Sequence, residues 1–303
     1  MVLRRLWAGI GSEEMGVAAL AVIAVVLVAV LSGCRVDRVP RDAPTESPTF
    51  EELAGHHHER LNRLETVYGS GIIELRWRDE DGRHYEQGNM ELWLGLPRRV
   101  ALRVFKAGRD FLWIGSDDSH FWIFDMTGDE TILTADRHDT VLLDDEGEVL
   151  SLQPLVLLDA AGLGRLDEPL DPDGAVEYDA DRGAWVAEAR GRGGPIRVYF
   201  DVETLEPVRV EALNSRGEMV LHSRLADPLY VERRAGPEAR IPRRIHIEMA
   251  DGGGRISLGF DRAYPPSDGK VDDMFTERVF DFEALHRRMP PDVVEGHPPG
   301  DGS

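Results

Sequence analysis

The chain has 303 residues, 42% of them hydrophobic, with 35 lysines and arginines against 56 aspartates and glutamates, a formal net charge of −21. That charge argues against a polyanionic partner such as nucleic acid and against a surface held on anionic lipid by its own cations. A single cysteine, Cys34, rules out a disulfide within the molecule and leaves too few thiolates for a structural zinc site.

In chain order, Arg4 and Arg5 precede an uncharged run, MGVAALAVIAVVLVAVL, from Met15 to Leu31. A basic start, an apolar centre and small residues at the end describe a secretory signal. The run is short for spanning roughly 30 Å of hydrocarbon. Its end, LSGC from Leu31 to Cys34, resembles the bacterial lipobox. That resemblance implies a diacylglyceryl group on the Cys34 sulfur and cleavage just before it. Residues 1–33 are therefore expected to be a lipoprotein signal peptide. Residues 34–48, which contain the polar, proline-rich RVDRVPRDAPTESP, are expected to be a tether behind the acylated cysteine. One acyl chain anchors marginally and two or three anchor stably.

A helix opens the body of the chain. Thr49 and Glu52 form a capping box after Pro48. Phe50, Leu53, Leu61, Leu64 and Tyr68 then recur at helical spacing, with Gly69 as the stop. His56, His57 and His58 lie inside it, but consecutive helix positions point about 100° apart and do not converge on one ion. His57 is expected on the apolar stripe and the other two in water.

From Ser70 the period changes to two. Ile73, Leu75 and Trp77 alternate with Glu74, Arg76 and Arg78, and MELWLGL, VALRVF, FLWIG and HFWIF follow across short polar turns. The pattern is that of an antiparallel meander. It resumes with AWVAEA, IRVYFD, PVRVEAL, EMVLHSRL, RRIHIEM and RISLGFDRAY. In the last pair, Ile245, Ile247 and Met249 face Ile256, Leu258 and Phe260, joined by a turn at Gly252, Gly253 and Gly254. Between the two runs, LSLQPLVLLDAAGL from Leu150 to Leu163 reads as a second helix, followed by a Pro/Asp/Gly loop through Gly174. The stretch after Pro290 reads as a disordered tail over residues 290–303. The domain proper is expected over residues 49–289: mainly β with helices, roughly ten or eleven strands in a strongly curved antiparallel sheet with the helices laid into its concave face.

Three stretches carry a family resemblance. EQGNMELWLGLPRRVALRVFKAGRDFLWIGSDDSHFWIFD (Glu86 to Asp125), IRVYFDVETLEPVRVEALNSRGEMV (Ile196 to Val220) and the span from Ile241 to Phe275 resemble, in order, the lipoprotein-localisation carriers LolA and LolB. The body is closer to LolA, and the anchor is LolB-like. The resemblance implies an eleven-stranded half-barrel with a helical lid that holds lipoprotein acyl chains in an apolar cavity. Two departures stand out. The family's basic residue before the strand-ending proline is Leu96 here, with Arg98 and Arg99 after Pro97. In place of LolB's protruding loop with its leucine there is the short polar turn KAGRD. Arg35, after the cysteine, permits the outer membrane by family analogy.

On this reading the cavity candidates are Ile73, Leu75, Trp77, Leu92, Leu94, Trp113, Phe121, Ile123, Ile245, Ile247 and Leu258, and the lid candidates Phe50, Leu53, Leu61, Leu64, Leu155 and Leu158. The aromatics Phe111, Trp113, Phe121, Trp122 and Phe124 could equally be plain core on central strands. No G-x-S-x-G, P-loop or HExxH occurs. The acidic pairs Asp117–Asp118 and Asp144–Asp145 do not provide two carboxylates converging across a cleft. The expectation is therefore no enzyme, no cofactor and no metal. It is an envelope lipoprotein with its domain in the periplasm, more at home on the outer membrane than the inner. Its partners would be lipid or acylated lipoproteins, as carrier or acceptor. The alternative is a sensor that uses the same fold to recognise an envelope protein or lipid.

Overall fold

The computed structural model describes residues 44–64, 66–79, 82–138, 154–171, 173, 176–191, 194–232, 238–265 and 278–299. The expected signal peptide, Cys34, most of the expected tether and Asp144–Asp145 lie outside these residues. Helix α1 is Phe50–Leu64. Strands β1 (Thr66–Asp79), β2 (Gly82–Gly95), β3 (Arg99–Lys106), β4 (Arg109–Ser116), β5 (His120–Asp125) and β6 (Ile132–Arg137) follow. Helix α2 is Pro154–Ala160. Then come β7 (Glu177–Asp179), β8 (Ala184–Gly191), β9 (Gly194–Asp201), β10 (Pro207–Leu213), β11 (Met219–Tyr230), β12 (Arg240–Met249) and β13 (Gly254–Tyr264). Helix α3 (Phe282–Arg288) and β14 (Val293–Gly296) end the chain.

The strands form one open, curved sheet in the order β14-β6-β5-β4-β3-β2-β1-β13-β12-β11-β10-β9-β8-β7. Two meanders run outward from the central β1–β13 pair, and every pairing is antiparallel except β14 with β6. The half-barrel expectation holds. The strands not foreseen are β6, β7 and β14, which are short and weakly patterned.

At its start α1 carries the foreseen capping box: the Thr49 amide donates to Glu52 Oε2 at 2.8 Å, and the Glu52 amide to Thr49 Oγ1 at 3.2 Å. The helix ends at Leu64, earlier than expected. Tyr68 and Gly69 belong to β1, because Val67 and Tyr68 favour extended backbone and Gly69 accommodates the Phe260 ring, 3.0 Å from where a Cβ would stand. At the bulge between Ser70 and Gly71 the strands approach so closely that a Cβ on Gly71 would lie 1.9 Å from the Gly259 carbonyl oxygen.

The sheet buries apolar side chains on both faces. Inside the curve, Leu53, Leu61 and Leu64 of α1 share one core with Ile196, Val198, Phe200 and Val210 and with Leu155, Val156 and Leu158 of α2. The His57 ring meets Phe200 edge-on at 6.0 Å. Helix α2 touches β10 on one side and reaches β4 on the other.

Outside the curve, Trp93, Trp113, Trp122 and Phe124 form a second core with Val279, Phe280, Phe282, Leu285 and Met289. Trp122 lies across Gly115, where a Cβ would stand 2.2 Å from its Nε1. Asp281 caps α3 by accepting the Ala284 amide at 3.0 Å. The stretch expected to be a disordered tail instead supplies β14, held at its start by Asp292 Oδ2 on the Thr131 amide at 2.8 Å. Its low hydrophobicity hid a strand whose stability comes from pairing at the sheet edge.

Candidate functional site

Register explains where the concave face stays open. Across β12, β13 and β1, Ile245 stands opposite Leu258 and Leu258 opposite Ile73; Ile247, Ile256 and Leu75 repeat the row one pleat on. Across β2 to β5, Leu92, Leu102, Ile114 and Ile123 form a third row. Each row places apolar side chains on one face because strand neighbours two apart share a side. Pro154, Leu157 and Leu158 of α2, with Ala161 and Leu163 after it, face these rows without filling the space between. The result is a cavity of about 770 Å³, within the range of sites that engulf a small ligand.

Of the cavity candidates, Ile73, Leu75, Trp77, Leu92, Leu94, Ile123, Ile245, Ile247 and Leu258 line this space. Trp113 does not: it is on the outer face, stacked with Trp93 at 6.0 Å. Phe121 is fully buried near the other end of its strand, beside His138 with ring centroids 6.3 Å apart. Of the lid candidates, Leu158 lines the cavity, whereas Phe50, Leu53, Leu61, Leu64 and Leu155 are buried in the core beside it. Alternation within HFWIF separates Ile123 from Trp122 and Phe124, so the aromatic cluster splits between faces. Among the wall residues missed from the sequence are Met90, Val100, Leu102, Leu112, Ile114 and Ile256. Extending the β2 register strand by strand would have found them.

At one end the lining turns polar. Trp77 stacks on His84 at 5.0 Å and 15°. Glu86 pairs with Lys106 at 3.2 Å, and Asp125 accepts from the Thr127 amide at 2.9 Å.

The loop after α2 is held by three side chains from one stretch of α1. His57 Nε2 lies 2.7 Å from the Gly164 carbonyl; a carbonyl only accepts, so His57 carries its proton on Nε2. His58 Nε2 accepts from the Leu166 amide at 3.1 Å and therefore must be unprotonated. Arg60 donates through Nη2 to the Gly162 carbonyl. Burial, followed by the Arg60 charge, holds the His57 pKa well below its ordinary value. Burial also lowers that of His58 and brings Arg60 down to about 10. His58 was expected in water and is instead part of this clasp. Arg98 and Arg99 do not reach α2: they bind Asp118, through its carbonyl at 3.2 Å and its carboxylate at 2.9 Å.

The acidic pair Asp117–Asp118 has structural partners. Asp117 Oδ1 accepts from the Ser119 and His120 amides at 2.7 and 2.8 Å, closing a turn. Among the described residues, no three His, Cys, Asp or Glu side chains gather as a metal site would need.

No protein-family model matches the sequence, and no curated protein matches it. Solved structures are similar in layout. A LolA-superfamily protein from Nitrosomonas europaea has 14% identity and a TM-score of 0.46, over 76% of this chain and 99% of that one. A DUF1329-family protein from Desulfovibrio piger has 9% identity and a TM-score of 0.49, over 79% and 100%. An outer membrane lipoprotein-sorting protein domain from Vibrio parahaemolyticus has 10% and 0.48, over 76% and 97%. These values describe a shared outline, and what bears on function is the cavity.

Proposed function

We propose that the protein is an envelope lipoprotein, anchored through acylated Cys34, that binds the acyl chains of lipids or lipoproteins reversibly between its sheet and α2. The observation that carries this is the apolar cavity of about 770 Å³ beneath α2, walled by the rows of apolar side chains on the sheet. An acyl chain that buries about ten methylenes there gains about 8 kcal/mol, equivalent to micromolar binding before the cost of association. Binding needs no covalent chemistry, and the polar end of the cavity gives a headgroup or peptide somewhere to remain hydrated.

The test is a titration of the soluble Cys34→Ala domain with an environment-sensitive fluorescent fatty acid, followed by competition with a triacylated lipopeptide. Saturable binding with a blue shift, reversed by the lipopeptide, is expected. A flat titration on a folded domain would instead favour a recognition module with a self-filled core.

A further inference from the structure

We infer that acid discharges the cavity: protonation of His57 and His58 opens their clasp on the loop after α2 and frees that side of the cavity wall. This rests on the lipid-binding reading and adds its regulation. Leu157, Leu158, Ala161 and Leu163 line the cavity. They are tied together, because the Ala161 amide donates to the Leu157 carbonyl and the Leu163 amide to the Leu158 carbonyl, both at 2.9 Å. Here the clasp grips Gly162, Gly164 and Leu166. The chain is next fixed on β8, where the Leu170 amide donates to the Glu188 carbonyl and the Arg190 amide to the Glu168 carbonyl, both at 3.0 Å. The clasp therefore lies between this part of the wall and its next anchor on the sheet.

Each histidine is held in the neutral state that acid removes. His57 is 2% exposed, and among the described residues its Nδ1 has no hydrogen-bond partner. A proton there puts a cation beside the buried Arg60 guanidinium and against the apolar Phe200 ring, so the charged ring must leave for water. His56 and His58, its neighbours on α1, add only positive charge in acid. On the loop side the acid is Asp159 of α2, itself buried with its carboxylate against Gly164 and Gly191. Arg60 in turn faces Glu206 and Arg240. Protonated His58 presents an N–H to the Leu166 N–H. It turns instead to Asp167 Oδ1, now 3.9 Å away and held by Arg165 at 2.9 Å. Burial depresses both histidine pKa values in the clasp. A clasped value below the free one keeps the clasp at full strength above about pH 6.5 and weakens it as pH falls further. For a ring that stays neutral when clasped, the open-to-clasped ratio rises about thirtyfold between pH 7.5 and pH 5. His57, the more buried, carries most of this.

The experiment uses residues 34–303 carrying Cys34→Ala, loaded with a pyrene-labelled diacylglycerol, which has no titratable group. Stopped-flow fluorescence follows its transfer to excess dioleoylphosphatidylcholine vesicles, whose charge is constant over the range. When release requires the clasp to open, its rate follows the open population. The protein with both histidines should release about thirtyfold faster at pH 5 than at pH 7.5. His57→Gln with His58→Gln keeps a donor for Gly164 and an acceptor for Leu166 but does not titrate, so release should stay slow at both pH values. His222→Gln, in β11 where burial also lowers the pKa, should leave the rise intact. Equal rates at both pH values with the histidines present, or the same rise in the double variant, would overturn the inference and leave lipid binding standing. Uptake of no probe at pH 7.5 would overturn the lipid reading and this inference with it. Hydrogen exchange reads the clasp without ligand or histidine substitution. Corrected for intrinsic rates, the Leu166 amide should exchange about thirtyfold more readily at pH 5 than at pH 7.5, with the Val198 amide of β9 unchanged. Constant protection of Leu166 would overturn the opening itself.

Discussion

Replacing Leu75 by aspartate tests the cavity at its wall. Leu75 sits on β1 opposite Ile256 and Glu86, lines the cavity and is only partly buried. In the empty protein the new carboxylate stays hydrated, so the fold should survive. With an acyl chain seated, the wall loses the burial of a leucine, about 1.5 kcal/mol or more. The carboxylate must also shed water against hydrocarbon with Glu86 as its neighbour, for about 2 kcal/mol or more. The sum, about 3.5 kcal/mol or more, weakens binding by about three hundredfold. Leu75→Ala, without the charge, should cost about tenfold or slightly more. Ile72→Asp is the control: Ile72, three residues earlier on the same strand, points outward and is 42% exposed, so affinity should not change. The assay is fluorescent fatty-acid titration, with circular dichroism to verify folding. Unchanged affinity for a folded Leu75→Asp protein, or equal losses for Ile72→Asp, would refute the reasoning.

Three further outcomes follow from the packing. The folded-state pKa of His57 lies well below 6.5, so its contribution to stability is complete above about pH 6.5 and lost as pH falls below it, by up to about 1.4 kcal/mol per pH unit. His57→Gln, which can still donate to the Gly164 carbonyl, should flatten urea-midpoint curves measured between pH 7 and 5; an unchanged slope would contradict the clasp. Phe282→Ala removes the ring packed on Trp122 at 5.6 Å and Phe124 at 6.4 Å. It should cost about 3 kcal/mol and red-shift tryptophan emission, whereas a removable tail would show neither. Gly71→Ala drives a Cβ against the Gly259 carbonyl and should cost about 2 kcal/mol or more, seen as a lowered melting temperature.

Period-two patterning made the two meanders legible, because burial on a sheet face leaves a direct trace in alternation. The capping box at Thr49 and Glu52 was equally plain, being a local signal. What alternation does not say is which face is which. Trp113 and Leu112 are neighbours with opposite destinations, and only the position of α2 and α3 decides between cavity wall and outer core. The role of α3 and β14 was hidden for a related reason: Phe280, Phe282 and Leu285 gain their meaning from tryptophans more than 150 residues earlier in the chain. The clasp was misread because a histidine run looks solvated until a loop about a hundred residues away supplies its partners.

The most direct measurement is native mass spectrometry on residues 34–303, carrying Cys34→Ala and secreted into the periplasm behind a cleavable signal. The account predicts a retained mass corresponding to a diacyl lipid or acylated peptide, released by denaturation. A clean apo mass, unchanged after incubation with triacylated lipopeptide, would contradict it.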